Sequence, residues 1–475
     1  MIPLRTLPDR PVAVFGLGKS GLATAAALLQ SGTPVWAWDD DESVRARAAA
    51  MGARLVELYG CDWSRPTALV LSPGVPHTHP APHPVVTAAR AHGVEIIGDV
   101  ELFARALRDG TLPQAAVIGV TGTNGKSTTT ALIGHVLQTA RRAAIAGGNL
   151  GTPVLSFDPL PENGIYVLEL SSYQLELTTS LACRAAVLLN VTPDHLGRHG
   201  GIDGYVAAKT RIFANQDRSD TAIVGIDDAH SRAVRDALIA AGKQRVVAVS
   251  TGIRIPGGVH ALDGKLIDDT DGTNRLVLDL AEAPALPGVH NWQNAAAAYA
   301  ACRAVGLAPE EIAHGLRSYP GLAHRQELVA TLNGVRYIND SKATNADATA
   351  KALACYEPIY WIVGGRPKET GLEGLEGFYP RIARAFLIGE AEEAFARALD
   401  GKVPTTRCGT LAAAVAAAHE AAQRERREGA VVLLSPACAS FDQFANFEER
   451  GDAFRRLVQA LSPGSGAAGV RRAAS

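Results

Sequence analysis

The chain has 475 residues, with 46 Lys plus Arg against 48 Asp plus Glu and a formal net charge of −2, so there is no basic excess to support a nucleic-acid-binding role. Hydrophobic residues make up 47% and charged residues 20%, the balance of a folded chain rather than a disordered one. No apolar run approaches the roughly 18 residues of a membrane span, and Asp9 and Arg10 interrupt the N-terminus before any signal-peptide core, so the cytoplasm is the expected compartment.

Short β-branched or apolar runs alternate with Ala/Leu-rich helical patterns throughout, the signature of βαβ units, and the predicted class is α/β. In the first third, residues 11–16 read as a strand, 21–30 as a helix, 35–39 as a strand and 68–72 as another, ending in Ser72-Pro73-Gly74. The pattern breaks near residue 110, where the first domain (1–110) is expected to end. A strand from Ala116 then runs into a glycine-rich loop and a helix from Ser127, followed by strands at 165–170, 186–190 and 221–225. A polar, Gly-containing insertion around 257–274 and a helix over 291–305 complete a second block, 111–320. Strands at 335–339, 359–363, 385–388 and 431–435 alternate with helices in a third, 321–462, and 463–475 lacks aliphatic periodicity and reads as a tail. The six cysteines (Cys61, Cys183, Cys302, Cys355, Cys408, Cys438) form no C-x-x-C pair, which argues against a zinc site and for small buried hydrophobes.

Gly16-Leu17-Gly18-Lys19-Ser20-Gly21, with Asp39 ending the next strand, is a dinucleotide-type fingerprint, readable as a pyrophosphate loop or as a tight βα turn. Taken alone it suggests a nicotinamide-dependent dehydrogenase. Gly119-Val120-Thr121-Gly122-Thr123-Asn124-Gly125-Lys126-Ser127-Thr128 reads as a P-loop, although Val120 stands where the strict spacing wants glycine. Its backbone N–H groups suit phosphate oxygens, Lys126 their charge and the Ser127 hydroxyl Mg²⁺. Glu169 ends an apolar strand and is a Mg²⁺ candidate. His195 is either a ligand or a loop histidine, and Lys209 by itself reads as a solvated helix lysine. Asn291, opening an Ala-rich helix with Asn294, could be an N-cap. Arg325 could reach a phosphate or pair with an acid, and Asp340-Ser341-Lys342-Ala343-Thr344-Asn345 is a polar cluster at a strand end. The aromatics of the 434–447 segment suit a site or the core.

Together these residues resemble the Mur ligase family of ATP-dependent amide-bond-forming enzymes, from about Val12 to Phe454. The specific marks are Gly16–Gly21, Gly147-Gly148-Asn149-Leu150-Gly151, Glu169-Leu170-Ser171-Ser172-Tyr173-Gln174-Leu175 and the DSKATN and SPACASFDQF stretches. The resemblance implies three domains: a Rossmann-like one for a UDP-sugar, a central P-loop one for ATP, and a Rossmann-like ligase domain for the amino acid. It implies a reaction that joins glutamate to UDP-N-acetylmuramoyl-L-alanine in peptidoglycan precursor synthesis through an acyl phosphate. By position, Gly122, Thr123, Asn124, Gly125, Lys126, Ser127 and Thr128 hold ATP, with Asn291, Asn294, Arg325 and Asp340; Lys342 lies toward the reacting carboxylate. Ser127 and Glu169 would take one Mg²⁺ and His195 a second, with Lys209 matching a carbamylated metal-binding lysine. Lys19, Ser20, Asp39, Gly74 and Asn149 would hold the sugar nucleotide, and Thr344, Lys368, Ser440, Phe441 and Phe447 the glutamate.

Two departures stand out. Asp41 replaces an arginine that some relatives carry, and the segment 364–371 differs from the commoner Gly-Gly-x-x-Lys-x-x-Asp-Phe form that sets the register of Lys368. The partners expected are small-molecule substrates, with no nucleic acid and no membrane, and a monomeric chain. The rival readings are a related ligase of the folylpolyglutamate synthase kind, which would lack a Rossmann-like domain before its P-loop, and the nicotinamide-dependent oxidoreductase.

Overall fold

The computed structural model describes residues 1–5, 10–367 and 371–461. Lys368 and the expected tail 463–475 lie outside the described residues. Three sheets follow one another along the chain.

The first contains β1 (Val12–Phe15), β2 (Val35–Trp38), β3 (Arg54–Leu55), β4 (Ala68–Leu71) and β5 (Glu95–Ile97), ordered β3-β2-β1-β4-β5 and wholly parallel. This is a doubly wound order, and its chain direction reverses between β1 and β4, so the loops leaving those strands flank the crevice where such sheets bind ligands. One loop carries Gly16–Gly21 and the other Gly74.

The second contains β6 (Ala116–Thr121), β7 (Ala144–Gly148), β8 (Ile165–Glu169), β9 (Ala185–Leu188), β10 (Thr221–Gly225), β11 (Arg245–Ser250), β12 (Val259–Leu262), β13 (Lys265–Asp268) and β14 (Arg275–Asp279). Their order is β14-β13-β12-β11-β10-β9-β6-β8-β7; β12 runs parallel to β11, and the β12–β13 and β13–β14 pairings at that edge are antiparallel. The insertion expected around 257–274 therefore contains two strands, β12 and β13. Its Asp263-Gly264 turn has φ of 50° and 75°, the left-handed pair that matches the twist of a two-residue hairpin.

The third contains β15 (Glu327–Leu332), β16 (Val335–Asn339), β17 (Ile359–Gly364), β18 (Ile382–Ile388), β19 (Thr405–Gly409) and β20 (Val431–Leu434), ordered β15-β16-β20-β17-β18-β19. β17 is buried along its whole length, as a continuous apolar run covered on both faces should be. Tyr360 and Trp361 point to opposite faces and enter separate cores.

The chain divides into two compact units, Met1–Ala283 with Val289–Tyr319, and Pro284–Gly288 with the chain from Pro320 onward. The first unit holds two sheets because one core joins them: Val12 and Val14 of β1, Phe103, and Val117, Tyr166 and Leu168 of the second sheet belong to one buried cluster. Phe103 meets Tyr166 edge-on with ring centroids 5.0 Å apart. The sheet changes between β5 and β6, within the first unit, and the unit changes at Pro320.

Candidate functional site

The phosphate loop joins β6 to the helix Lys126–Thr139. Its turn closes on Gly125, at φ 87°, a conformation that a Cβ would strain, and the same Cβ would strike the Asn294 amide. Because β9 lies beside β6, the segment leaving β9 pins the loop from behind. Asn190 accepts the Thr123 N–H on its carbonyl at 2.9 Å and the Asn124 N–H on its side-chain oxygen at 2.9 Å. The first N–H groups of the following helix, which no intrahelical carbonyl can satisfy, are thereby presented at a fixed place. Asn190 was not singled out by the sequence reading; its position immediately past an apolar strand was the available signal. Asn294 supports the helix from its other side: its Oδ1 accepts from Thr129 at 3.2 Å and its amide donates to Asn291 Oδ1 at 3.1 Å. The helix carrying both asparagines begins at Val289, so Asn291 is a buried first-turn residue and not an N-cap.

Two lysine side chains converge on this loop. Lys126 Nζ donates to the carbonyls of Gly122 and Thr123, each at 2.8 Å, and Lys209 Nζ donates to the same Gly122 carbonyl at 2.8 Å. Lys209 is 1% exposed, and its Nζ lies 4.5 Å from the Tyr205 ring centroid. Burial pushes its pKa down to about 6, with the Lys126 charge acting in the same direction. The solvated lysine expected from its helix pattern is thus a dry, neutral-leaning amine.

Glu169, at the end of β8, is 2% exposed. One carboxylate oxygen accepts from Asn149 Nδ2 at 2.7 Å, and the Asn149 backbone N–H bonds the Glu169 carbonyl at 2.9 Å. The other oxygen is buried without a partner. An orphaned carboxylate oxygen is costly unless something electropositive meets it. No group of three or more His, Cys, Asp or Glu able to hold a metal occurs among the described residues. A single buried carboxylate oxygen fits Mg²⁺, which takes one or two carboxylates and completes its shell with water and phosphate oxygens. Ser127, in the first turn of the loop's helix, is the hydroxyl available beside the phosphates. His195 is half-exposed, at φ 52°, with its ring 3.4 Å from the Asp194 carboxylate and 5.2 Å from the Tyr173 ring centroid.

On the first sheet, Gly21 sits so close to the Gly16 carbonyl that no side chain fits. Asp39 holds the loop by accepting the Leu17 N–H at 2.5 Å and the Asp41 N–H at 2.9 Å. Lys19 and Ser20 open the helix Lys19–Gln30 beside it. Gly74 follows β4, with no atom within 4 Å of where a Cβ would stand. Asp41 caps the helix Glu42–Ala50 through the Ser43 N–H, which is the local work of this residue where some relatives have arginine. Asn149, expected on the sugar nucleotide, lies on Glu169.

In the second unit, a further cluster gathers where β16, β20 and β17 end side by side. Asp340 accepts from the Gln326 N–H at 3.2 Å and from Ser435 Oγ at 2.8 Å. Burial raises its pKa to about 7 against the opposing pull of Ser435 and of the Arg325 charge. Arg325 stands between two residues of positive φ, His324 at 60° and Gln326 at 46°, and its Nε is buried without a partner. Lys342 Nζ lies 3.8 Å from the Phe447 ring centroid. Thr344 is half-buried, Ser440 is buried and Phe441 is 62% exposed. Arg450, which the sequence reading did not single out, ties the strand-end loops together by donating to Ser341 O at 2.9 Å, Cys438 O at 3.1 Å and Ala439 O at 3.3 Å.

Residues 120–302 match the Mur ligase middle domain and residues 324–438 the Mur ligase glutamate ligase domain. Solved structures of the same fold include a UDP-N-acetylmuramate-alanine ligase from Thermotoga maritima, with a TM-score of 0.57 at 18% identity over 95% of this chain and 100% of that one. A MurF structure from Acinetobacter baumannii gives a TM-score of 0.56 at 21% identity over 77% of this chain and 82% of that one. Among sequences, the UDP-N-acetylmuramoylalanine--D-glutamate ligase of Rhodospirillum rubrum is 55% identical over 97% of both chains. That of Caulobacter vibrioides is 52% identical over 99% of this chain and 100% of its own. With two glycine loops on parallel sheets, a buried carboxylate beside the phosphate loop and relatives similar over almost their entire length, the chain belongs to the Mur ligase family, within its UDP-N-acetylmuramoylalanine--D-glutamate ligases.

Proposed function

We propose that the chain is the ATP-dependent ligase that adds D-glutamate to UDP-N-acetylmuramoyl-L-alanine, releasing ADP and phosphate, in peptidoglycan precursor synthesis. The observation that carries this reading is the phosphate loop with two lysines on one carbonyl, in a chain similar over nearly its full length to enzymes of that name. It displaces the dehydrogenase and folylpolyglutamate synthase readings.

The alanyl carboxylate attacks the γ-phosphorus of ATP, ADP leaves and an acyl phosphate forms. The glutamate amine then attacks the acyl carbon, and the tetrahedral intermediate collapses with loss of phosphate and of a proton to solvent. No protein nucleophile is needed, so the chain acts by position and charge. Gly122–Thr128 hold the phosphates, with Asn291, Asn294, Arg325 and Asp340 on the nucleotide, while Lys126 and Arg325 offset charge on the transferred group. Lys19, Ser20, Asp39, Gly74 and Asn149 hold the sugar nucleotide, Lys342 faces the reacting carboxylate, and Thr344, Lys368, Ser440, Phe441 and Phe447 hold the glutamate. Mg²⁺, when bound, supplies positive charge to the phosphoryl oxygens; Ser127 and Glu169 would hold one ion and His195 a second.

Lys209 is read as the carbamylated lysine of the family. A neutral amine adds through its lone pair to the carbon of CO₂ and gives up one proton to solvent, leaving an anionic carbamate able to bind metal. Burial supports this by keeping the amine unprotonated near neutral pH. The chain is read as a cytoplasmic monomer with small-molecule substrates, and among the described residues no helix is long and apolar enough to cross a membrane.

The test is phosphate release from ATP and Mg²⁺ with UDP-N-acetylmuramoyl-L-alanine and bicarbonate, comparing D-glutamate, L-glutamate and no amino acid. Release that needs both the sugar nucleotide and D-glutamate is expected. Release with L-glutamate alone would reassign the amino-acid pocket, and none under any condition would overturn the ligase reading.

A further inference from the structure

The first unit contains a buried charge that none of the roles above uses. Past β8, the short helix Ser172–Glu176 carries Glu176, and past β9 the helix Leu196–His199 begins just after His195. Arg198 lies between them with its side chain 10% exposed. Nη1 donates to Glu176 Oε2 at 3.1 Å, while Nη2 donates to the Val75 carbonyl at 3.2 Å and lies 3.3 Å from His77 Nδ1. The guanidinium carbon stands 5.1 Å over the Tyr173 ring, whose centroid is 5.2 Å from that of His195.

Val75 immediately follows Gly74. Arg198 therefore reaches from the helix that starts at His195 to the segment of the first sheet proposed to hold the sugar nucleotide. Glu176 orients it and is itself fixed: its second oxygen is 2.8 Å from His199 Nδ1, and His199 Nε2 is 2.9 Å from Ser172 Oγ. The same junction is closed at Gly200, where a Cβ would meet the His79 ring at 2.8 Å. A planar fork with donors on two edges can satisfy a carboxylate and a remote carbonyl together, which a lysine ammonium on a flexible stem cannot do with fixed geometry.

We propose that Arg198, oriented by Glu176, is a positioning residue for the sugar nucleotide: it fixes the Gly74–His79 segment relative to the helix begun by His195, so that a substrate anchored on the first sheet presents its carboxylate to the phosphate loop. The proposal rests on the ligase reading above. Its energetic basis is orientation. A substrate held at one end gains reactivity at the other only if the two protein segments keep a constant separation, and misplacement by an ångström costs about 10²-fold in rate.

The experiment compares wild type, Arg198→Lys, Arg198→Ala and Glu176→Gln. Steady-state phosphate release gives kcat and KM for the sugar nucleotide, calorimetry with ATP alone gives nucleotide affinity, and circular dichroism confirms folding. We expect KM for the sugar nucleotide to rise by ~10-fold or more and kcat to fall by ~10–100-fold in Arg198→Ala, with ATP affinity within about twofold of wild type. Arg198→Lys and Glu176→Gln should fall between the two, since one retains charge without the fork and the other the fork without its anionic anchor. Unchanged sugar-nucleotide parameters in a folded variant, or loss of ATP affinity in step with them, would overturn the proposal in favour of a merely structural arginine. If Arg198→Ala does not fold, the same criteria apply to the two conservative variants. An inactive wild type would overturn the ligase reading itself, a result distinguishable from any difference among the variants.

Discussion

The first unit contains two glycine-rich turns of nearly the same design, one from β1 and one from β6, each passing from a parallel strand to the N-terminus of a helix. They differ in the charge built around them. At Gly16–Gly21 the Leu17 N–H is already taken by the Asp39 carboxylate, whereas at Gly122–Lys126 two lysines converge on a single carbonyl. A helix N-terminus attracts anions in either case, but an internal carboxylate disfavours a triphosphate where the Lys126 ammonium favours it. The lesson is that the glycines set the shape of the loop, and the charged groups around it select the ligand.

The largest effect is expected from removing that charge. Lys126→Ala should lower kcat for phosphate release by ~10²-fold or more while leaving the circular dichroism spectrum unchanged; near-normal turnover would break the contrast between the two turns. Gly21→Ala tests the shared shape, because its Cβ would lie 2.9 Å from the Gly16 carbonyl carbon. It should cost about 1–3 kcal/mol in urea unfolding and weaken sugar-nucleotide binding more than ATP binding. Equal weakening of the two ligands would mean that the first turn does not hold the sugar nucleotide. Asp39→Asn keeps the shape but removes the charge from the bond to Leu17, and should cost no more than about 1–2 kcal/mol, read as a modest rise in KM for the sugar nucleotide.

The smallest effect concerns the second unit, whose cluster also lies at strand ends but includes a carboxyl raised to about 7 by burial. An acid whose folded pKa lies above its unfolded value binds more protons when folded, so stability is lost as pH rises through that window. Asp340→Asn should therefore gain stability relative to wild type between about pH 5 and about pH 8, measured by urea unfolding at both. A pH-independent difference would show that Asp340 stays ionised. The contrast with Lys209 is informative, since burial favours the neutral form of both groups, which raises an acid and lowers a base.

Much of this was legible in the sequence. The apolar runs placed β10 at 221–225 and β16 at 335–339 as observed, because strands inside a sheet bury most of their residues. Other strands were missed: β12 and β13 were read as a polar insertion, and the edge strand β15 was not read at all. β15 is only partly buried, while β12 and β13 are four residues long and interrupted by polar side chains, so none of the three stands out as an apolar run. Their turns were the better signal, since Asp263-Gly264 and Asn333-Gly334 both adopt the paired positive φ of two-residue hairpins. In the site, Lys126 was singled out from its glycine-rich loop at a helix start and Glu169 from its strand-end position. Lys209 was not, for its helix pattern is that of a solvated lysine and only the packing of Tyr205 and the phosphate loop makes it dry.

The sequence by itself determined the alternation of strands and helices, the phosphate loop and the family, because these are properties of contiguous residues. Tertiary structure decided what depends on distant segments meeting. Asn190 comes to lie behind the phosphate loop because β9 pairs with β6, and Glu169 has an unpartnered oxygen because Asn149 occupies only one. Arg198 reaches Val75 across 123 residues of chain, a contact that no local pattern encodes, since a side chain's burial and partners are set by what folds against it.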